Sequence, residues 1–190
     1  MRIAIIGGIG SGKSEVMKIA KEHGFFCISA DEINSELLKT PSYIQKIQTA
    51  FPAAVRNGEV DKKTLASIVF SNESERKKLN SIAHPEIMRA IAEHTENPLA
   101  IELPLFIEGG DEAFDEIVYV RTPLLTRIAR LKKGRRMNVA QAIRRIRSQV
   151  PSSVLMAKST QIIDNKGSLD KLKKKANVLF DKILEKHKEI

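Results

Sequence analysis

The chain has 190 residues, 42% of them hydrophobic and 29% charged, and a formal net charge of +9. This length allows one folding unit with its own core, and the composition excludes a disordered chain. No apolar run approaches the roughly 20 residues that cross a bilayer, and Met1 leads directly into a strand-like segment without a signal-peptide pattern. We therefore expect a cytoplasmic protein that is not associated with a membrane.

The positive charge lies in the C-terminal third of the chain. Residues 1–120 carry 13 basic and 18 acidic side chains, whereas residues 121–190 carry 19 basic and five acidic ones. Such a field attracts either nucleic acid or a polyphosphate ligand, and net charge alone does not separate the two. Because the basic segment offers only Phe180 as an aromatic platform for stacked bases, we expect no specific nucleic-acid partner.

Strand and helix patterns alternate along most of the chain. Short apolar runs predict buried parallel strands, and a repeat of three to four residues predicts helices. The predicted strands are residues 2–6, 25–28, 99–103, 116–120 and 161–164. The predicted helices are residues 13–23, 31–38, 61–70, 73–83, a segment from 122 to 149 with a break at Gly134, and 169–188. Within the helical stretch 41–94, His84-Pro85 predicts a turn.

Repeated strand–helix–strand units predict an α/β fold, a three-layer α/β/α domain around a five-stranded parallel sheet. We expect one domain over residues 1–190. Its core comprises residues 1–40, 96–124 and 150–190, a helical insertion comprises residues 41–95, and an arginine-bearing lid comprises residues 125–149. The only cysteine, Cys27, can form no internal disulfide, and its apolar neighbours predict a core thiol.

Residues 7–14 read Gly-Gly-Ile-Gly-Ser-Gly-Lys-Ser and match the phosphate-binding loop G-x-x-x-x-G-K-[ST], the P-loop, between a predicted strand and a predicted helix. The glycines let successive N–H groups face phosphate oxygens, next to the positive end of the helix. Lys13 is expected to bridge the β- and γ-phosphates of ATP, and the Ser14 hydroxyl to bind Mg²⁺. The expected nucleotide ligands are Gly8, Gly10, Ser11, Gly12, Lys13, Ser14 and the backbone of Glu15.

Two carboxylates at the ends of predicted strands are candidates for chemistry. Asp31 follows the second strand, where doubly wound sheets bind ligands, and it can accept the proton of a substrate hydroxyl. Its alternative role is to cap the helix that follows. Glu102, near the end of the third predicted strand, can take part in holding Mg²⁺ as a Walker-B acid does, or it can simply adjoin a surface loop.

Seven arginines crowd the segment between residues 127 and 147: Arg127, Arg130, Arg135, Arg136, Arg144, Arg145 and Arg147. A planar guanidinium suits phosphate oxygens, and an arginine-bearing lid can neutralise a transferring phosphoryl group and exclude water. Most of the seven are expected to be solvated. We select Arg130 as the catalytic candidate and Arg145 as a nucleotide ligand, and Asn165, in the turn after the last strand, as a second nucleotide ligand.

These segments together resemble the dephospho-CoA kinase family over essentially the whole chain. Residues 7–14, and Ala30-Asp31 with Glu36-Leu37-Leu38, are similar to its nucleotide and acceptor segments. The further matching blocks are residues 61–70, Leu79-Asn80-Ser81-Ile82-Ala83-His84-Pro85, Pro104-Leu105-Phe106-Ile107-Glu108, Arg145-Ile146 with Gln149, and Ile163-Asp164-Asn165-Lys166-Gly167. Many families share the P-loop, whereas the H-P, P-L-x-x-E and I-D-N-x-G blocks in this order are much more specific.

The resemblance implies ATP-dependent phosphorylation of the ribose 3′-hydroxyl of dephospho-CoA. It implies that Asp31 is the general base, that Lys13 and Ser14 surround the nucleotide and Mg²⁺, and that residues 41–95 bind the CoA moiety. The residues that it places on the acceptor side are Asp31, His84, Pro104 and Glu108. Without the resemblance, His84 would be interpreted as a helix-boundary histidine. We expect a monomer or a weak homo-oligomer.

Several positions depart from the family pattern. The family commonly has aspartate in place of Ser29 and Glu102, threonine in place of Glu15, and arginine near Gly134. The basic residues that usually follow the glutamine are absent after Gln149. Three rival functions are therefore considered: another P-loop kinase of a small molecule, a nucleic-acid-binding ATPase, and a degenerate ATP-binding protein.

Overall fold

The computed structural model describes residues 1–103, 110–135 and 137–188, and for Ser71 the backbone alone. Two residues assigned to the acceptor side, Pro104 and Glu108, lie outside these ranges. The chain divides into two compact units, the first formed by Met1–Ser29 with Glu96–Ile190 and the second by Ala30–Thr95. The prediction of an α/β fold with a five-stranded parallel sheet is confirmed, and the whole sheet belongs to the first unit.

Strands and helices alternate in the first unit, whereas the second unit is almost entirely helical. The strands are β1 Arg2–Ile6, β2 Phe26–Ser29, β3 Val55–Arg56, β4 Glu59–Val60, β5 Leu99–Leu103, β6 Glu116–Arg121 and β7 Gln161–Asp164. The helices are α1 Lys13–Glu22, α2 Ala30–Leu37, α3 Pro41–Ala50, α4 Lys62–Ser71, α5 Glu73–Glu93, α6 Leu124–Arg135, α7 Val139–Arg147, α8 Ser152–Lys158 and α9 Leu169–Lys186. None of the described helices is long and apolar enough to cross a membrane.

The central strand of the sheet is β1, which leads into the P-loop. The strand order is β2-β5-β1-β6-β7, and every neighbouring pair is parallel. Ile3 and Ile5 share one face of β1 and are fully buried, and Ile19 of α1 and Phe180 of α9 belong to the same core cluster. Burial of this apolar strand therefore places the P-loop at the middle of the sheet.

The arginine-bearing segment is interrupted later than predicted. Gly134 lies within α6, and the next helix, α7, begins only after Asn138. Asn138 and Gln141 form a reciprocal capping box at the start of α7. The predicted break at Gly134 is wrong because a lone glycine costs a helix only about 1 kcal/mol, whereas a capping box defines a new start.

The predicted turn at His84-Pro85 is also wrong, because α5 runs through both residues. A proline inside a helix removes one hydrogen bond and costs about 3 kcal/mol or more. Beyond the proline, however, Ile87 and Ile91 are buried. Packing of this apolar face supports the second half of α5 and lets the helix continue.

Cys27 is half-buried and not the core thiol that was predicted. The reason is topological: β2 is an edge strand that pairs only with β5, and the neighbouring Phe26 is exposed. The Cys27 thiol lies 3.4 Å from the Met17 carbonyl oxygen. Partial burial raises the pKa of the Cys27 thiol, which favours its protonated and unreactive form.

The second unit combines helices α2–α5 with the short antiparallel hairpin β3–β4. Tyr43 is buried in α3, and its hydroxyl donates to Asn34 Oδ1 at 2.9 Å. Burial, reinforced by the Glu86 carboxylate, raises the pKa of Tyr43 to about 12. An open groove of about 900 Å³ has a lining that includes Ser35, Leu38, Ile44, Gln45, Gln48 and Val60.

Glu116, at the start of β6, is a buried charge with several partners. Its carboxylate accepts hydrogen bonds from Lys186 Nζ at 2.6 Å and from the Thr160 hydroxyl. Burial by itself would raise the pKa of Glu116, but the hydrogen bonds from Lys186 and Thr160 outweigh burial and lower the pKa. The charged carboxylate therefore links β6 to α9 and to the chain that enters β7.

We expect Glu116→Gln to lower the free energy of unfolding near neutral pH by on the order of 1–3 kcal/mol, because it removes the charge that Lys186 pairs with. A lowered folded-state pKa gives stability that is present above the unfolded-state pKa and lost as pH falls through the folded-state pKa. Urea denaturation of wild type and variant should therefore differ near neutral pH and converge in acid. Glu185→Gln, at an exposed position of α9, is the control. A difference that does not change with pH would contradict this role.

Candidate active site

The P-loop joins β1 to α1, and some of its glycines adopt conformations that other residues avoid. Gly10 and Gly12 have φ values of 76° and 96°. Gly12 is the N-cap of α1 and supplies no side-chain cap, so the first N–H groups of the helix are available to a ligand. The positive end of the helix dipole adds to their attraction for an anion. The loop therefore has the backbone form that phosphate binding requires.

The Ser11 carbonyl fixes the direction of one P-loop amide. It accepts hydrogen bonds from Thr122 Oγ1 at 2.8 Å, Asn165 Nδ2 at 2.8 Å and Arg130 Nη1 at 3.2 Å. In a trans peptide the N–H points opposite to the C=O, so the Gly12 N–H faces away from these three donors. Side chains outside the loop thus orient an amide toward the expected phosphate position.

Lys13 is a buried cation beside one carboxylate. Its Nζ lies 2.9 Å from the Gly7 carbonyl oxygen and 3.6 Å from Glu102 Oε1, and its side chain is 10% exposed. Burial lowers the pKa of Lys13. The Glu102 carboxylate opposes this shift, whereas the charges of Arg127 and Arg135 reinforce it. A phosphate that reaches Lys13 meets an ammonium group largely shielded from water, where charge acts more strongly than in bulk solvent.

The two predicted metal ligands, Glu102 and Ser14, both lie next to Lys13. Glu102 is half-buried on β5, and Ser14 is exposed in the first turn of α1. Both offer oxygen atoms, the ligands that Mg²⁺ prefers. Among the described residues, no group of three or more His, Cys, Asp or Glu side chains could hold a metal ion. The residues therefore fit a Mg²⁺ ion that takes most of its ligands from phosphate and water, as is usual for this ion.

Arg130 and Asn165 meet at the P-loop, whereas Arg145 is exposed on α7. Arg130 Nη2 donates to Asn165 Oδ1 at 3.1 Å, and Asn165 is buried. A Cβ atom added to Gly12 would lie 2.5 Å from Asn165 Nδ2, so this close approach requires glycine. Glu15, also predicted beside the phosphates, forms an ion pair with Lys18 at 2.8 Å.

Arg121 and Asp164 form a support that the sequence analysis did not single out. Arg121 donates from Nε and Nη2 to the two carboxylate oxygens of Asp164 at 2.6 and 2.7 Å, which joins β6 to β7. The hydrogen bonds from Arg121 lower the pKa of Asp164. The Asn165 N–H donates to the Arg121 carbonyl at 2.8 Å. The Arg121–Asp164 pair therefore fixes the position from which Asn165 contacts the P-loop. The sequence does not indicate this pair, because it depends on β6 and β7 being neighbours in the sheet.

Arg127 also lies at the P-loop, although it was not selected from the seven arginines. It is 8% exposed, and its Nε donates to the Ile9 carbonyl at 2.9 Å. The spacing of three residues between Arg127 and Arg130 was the available signal, because it puts both on one side of α6. Seven arginines in one segment made that signal difficult to separate from ordinary surface charge.

Asp31 and His84 belong to the second unit. Helix α2 begins at Ala30, so Asp31 lies in its first turn and is exposed. His84 is half-buried inside α5, and burial lowers its pKa, which favours the neutral imidazole at physiological pH. The Asp31 carboxylate is thus accessible to a ligand.

Comparisons with known proteins place the chain in one family. The sequence model for dephospho-CoA kinases matches residues 1–171. The dephospho-CoA kinase of Bacillus licheniformis is 32% identical over 191 residues, which cover 94% of each chain. A crystal structure from Thermus thermophilus matches with a TM-score of 0.77 and 27% identity over 96% of this chain and 97% of that one. The dephospho-CoA kinase structure from Campylobacter jejuni, 22% identical with a TM-score of 0.69, covers 98% of this chain and 100% of its own and supports the fold. The chain therefore belongs to the dephospho-CoA kinase family.

Proposed function

We infer that the protein transfers the γ-phosphoryl group of ATP to the ribose 3′-hydroxyl of dephospho-CoA and releases coenzyme A and ADP. The observation that carries this function is the family match over residues 1–171. The complete P-loop, in which Lys13 is buried, supports the use of ATP. The fold alone would not select the acceptor, because one fold can serve many activities.

We propose that the ATP phosphates lie along the P-loop. The backbone of residues 8–15 would contact their oxygens, a role supported by the direction of the Gly12 amide and by the buried Lys13 ammonium. Asn165 and Arg130, which contact the loop from outside, would adjoin the nucleotide. Arg145, exposed on α7, is proposed to reach the nucleotide from the arginine-bearing segment.

Asp31 is the proposed general base. As the 3′-oxygen attacks the γ-phosphorus, a new O–P bond forms and the bond to the β,γ-bridging oxygen breaks. The hydroxyl proton passes to the Asp31 carboxylate, and the bonding electrons leave with ADP. Lys13 and Arg130 would offset the negative charge on the transferring group and the leaving phosphate.

Ser14 and Glu102 are proposed to hold Mg²⁺ with the nucleotide. The ion, when bound, neutralises charge on the phosphate oxygens and keeps them in position. The Ser14 hydroxyl would be a direct ligand, and Glu102 would hold a metal-bound water. The Lys13 ammonium 3.6 Å from Glu102 keeps that carboxylate beside the phosphate position.

The second unit is the proposed site for the CoA moiety, through residues 41–95. Its groove of about 900 Å³ is lined by both amide and apolar side chains, a mixture that suits an acceptor arm built from amides and methylene groups. His84, Pro104 and Glu108 keep their proposed acceptor roles. A cytoplasmic location, a monomer or weak homo-oligomer, and the lack of a specific nucleic-acid partner stay predictions.

The direct test is ADP release from Mg²⁺-ATP with and without dephospho-CoA, with identification of the coenzyme A formed. Adenosine, a nucleoside monophosphate and gluconate serve as competing acceptors. We expect ADP release to depend on dephospho-CoA and on Mg²⁺. ATP binding without stimulation by dephospho-CoA would contradict the proposed acceptor. It would point to Ser29, Gly134 and Leu155, which depart from the family pattern, as marks of a changed or lost activity.

A further inference from the structure

One residue of the P-loop, Ile9, is held at both polar groups of its backbone by side chains from outside the loop. The Ile9 N–H donates to Gln149 Oε1 at 2.8 Å, and the Ile9 carbonyl accepts from Arg127 Nε at 2.9 Å. Arg127 Nη2 also donates to Gln149 Oε1, at 2.8 Å. These three hydrogen bonds close a ring, the Ile9 ring, in which the loss of either side chain affects the contacts of the other.

The Ile9 ring explains why residue 8 is glycine. Unlike Gly10 and Gly12, Gly8 does not adopt a left-handed φ. A Cβ atom at position 8 would instead lie 2.1 Å from Arg127 Nη2 and 2.5 Å from Arg127 Cζ. Since two hydrogen bonds hold that guanidinium, it cannot move aside without opening the ring. Glycine at position 8, the second residue of the P-loop, is therefore required by the close approach of Arg127.

Arg127 is a buried charge with neutral acceptors. It is 8% exposed, and the acceptors described for it are a backbone carbonyl and a carboxamide. Burial lowers the pKa of Arg127, because the charged form has lost water without gaining a carboxylate. Arg127 contacts Ile9 of the same loop that carries Lys13, and its charge lowers the pKa of Lys13. A bound polyphosphate would add negative charge beside Arg127, which has no carboxylate among its described hydrogen-bond acceptors.

The two side chains come from opposite ends of the arginine-bearing segment. Arg127 is in the first half of α6, and Gln149 follows α7 by two residues. The Ile9 ring therefore fastens both ends of the segment to the P-loop. It also fixes the Ile9–Gly10 peptide, because the carbonyl held by Arg127 directs the Gly10 N–H the opposite way.

We propose that Arg127 and Gln149 are positioning residues for ATP. Arg127 fixes the Ile9–Gly10 peptide so that the Gly10 amide faces the phosphates, and Gln149 holds both Arg127 and the preceding Gly8–Ile9 peptide. The proposal rests on the proposed function only in taking ATP as the nucleotide. A purely structural role for the ring would alter the stability of the protein without separating ATP binding from acceptor binding.

The test compares Arg127→Met, Gln149→Met and the double variant, all in the full chain. The Kd for Mg²⁺-ATP is measured calorimetrically without acceptor, and KM is measured for each substrate. Each single variant should raise the Kd and the KM for ATP by about 10-fold to 100-fold, since a hydrogen bond to a charged group is lost. The KM for dephospho-CoA should change by less than about twofold. Because both side chains belong to one ring of hydrogen bonds, the double variant should bind ATP no more weakly than the more impaired of the two single variants.

Three further variants make the outcome decisive. Arg127→Lys keeps the charge but cannot reproduce the two hydrogen bonds from the planar guanidinium to Ile9 and Gln149, so it should behave like Arg127→Met. Gly8→Ala keeps both side chains and inserts a Cβ atom at Arg127, so it should weaken ATP binding even if a methionine variant does not fold. Arg147→Met, at an exposed position of α7, should leave the Kd unchanged.

Full rescue by Arg127→Lys, independent losses in the double variant, or equal rises in both KM values would overturn the proposal. Thermal unfolding without nucleotide confirms that each variant is folded. A wild-type protein that binds ATP but does not phosphorylate dephospho-CoA would refute the proposed function, and the Kd series would still test the Ile9 ring.

Discussion

Lys13→Ala is expected to abolish phosphoryl transfer while the protein stays folded. The variant removes the one lysine of the P-loop, a cation that is 10% exposed and 2.9 Å from the Gly7 carbonyl oxygen. Removal of a single transition-state donor costs about 10²-fold to 10³-fold in turnover, and a buried cation between two phosphates should cost at least that much.

The measurement is steady-state ADP release at saturating dephospho-CoA, with calorimetry for Mg²⁺-ATP. We expect the affinity for ATP to fall as well, because the proposed contact of Lys13 with the phosphates is made already in the ground state. Lys18→Ala is the matched control, since Lys18 is an exposed lysine on the same helix and pairs with Glu15. Wild-type turnover in Lys13→Ala would remove the P-loop lysine from the mechanism.

Asp31→Asn is expected to lower kcat by roughly 10²-fold to 10⁴-fold, the usual contribution of a general base. Asparagine has nearly the shape of aspartate but cannot accept the hydroxyl proton. The KM for ATP should stay close to the wild-type value, because the proposed role of Asp31 concerns the acceptor alone. A selective loss of kcat would therefore distinguish the base from the phosphate ligands.

The control for Asp31 lies outside the acceptor segment. Asp170 is an exposed carboxylate in the first turn of α9, and Asp170→Asn should keep wild-type kinetics. If Asp31→Asn weakened ATP binding as much as Lys13→Ala does, the division of roles between the two residues would be incorrect. If it left kcat unchanged, another group would have to accept the proton.

The strands of the sheet were predictable because each is a short apolar run in which hydrophobic residues do not recur at the spacing of a helix. β1 and β5 have partners on both sides, and burial of both faces leaves them with almost continuous apolar sequences. The hairpin β3–β4 was not predicted, since two strands of two residues carry no alternation to detect. Helix α8 was missed because Pro151 and two serines look like a loop, although proline suits the start of a helix.

The P-loop was predictable for a different reason: its chemistry is confined to eight consecutive residues. The residues that support the loop are not local in this way. Gln149 is 140 positions from Ile9, and Asn165 is 154 positions from Ser11. Contacts of this kind depend on which strands are neighbours and on where each helix ends, and hydrophobic periodicity determines neither. The acceptor residues Pro104 and Glu108 stay predictions, because they lie outside the described residues.

The pairing of β5 with β1 sets the separation between the P-loop lysine and its carboxylate. Glu102 lies opposite Ile5 on one side and opposite Ser29 of β2 on the other. Side chains alternate between the faces of a sheet, so a shift of β5 by one residue would turn Glu102 to the opposite face. Such a shift would separate the two charges while the apolar strand still paired. The register of β5 is therefore tied to the proposed metal site as well as to the sheet.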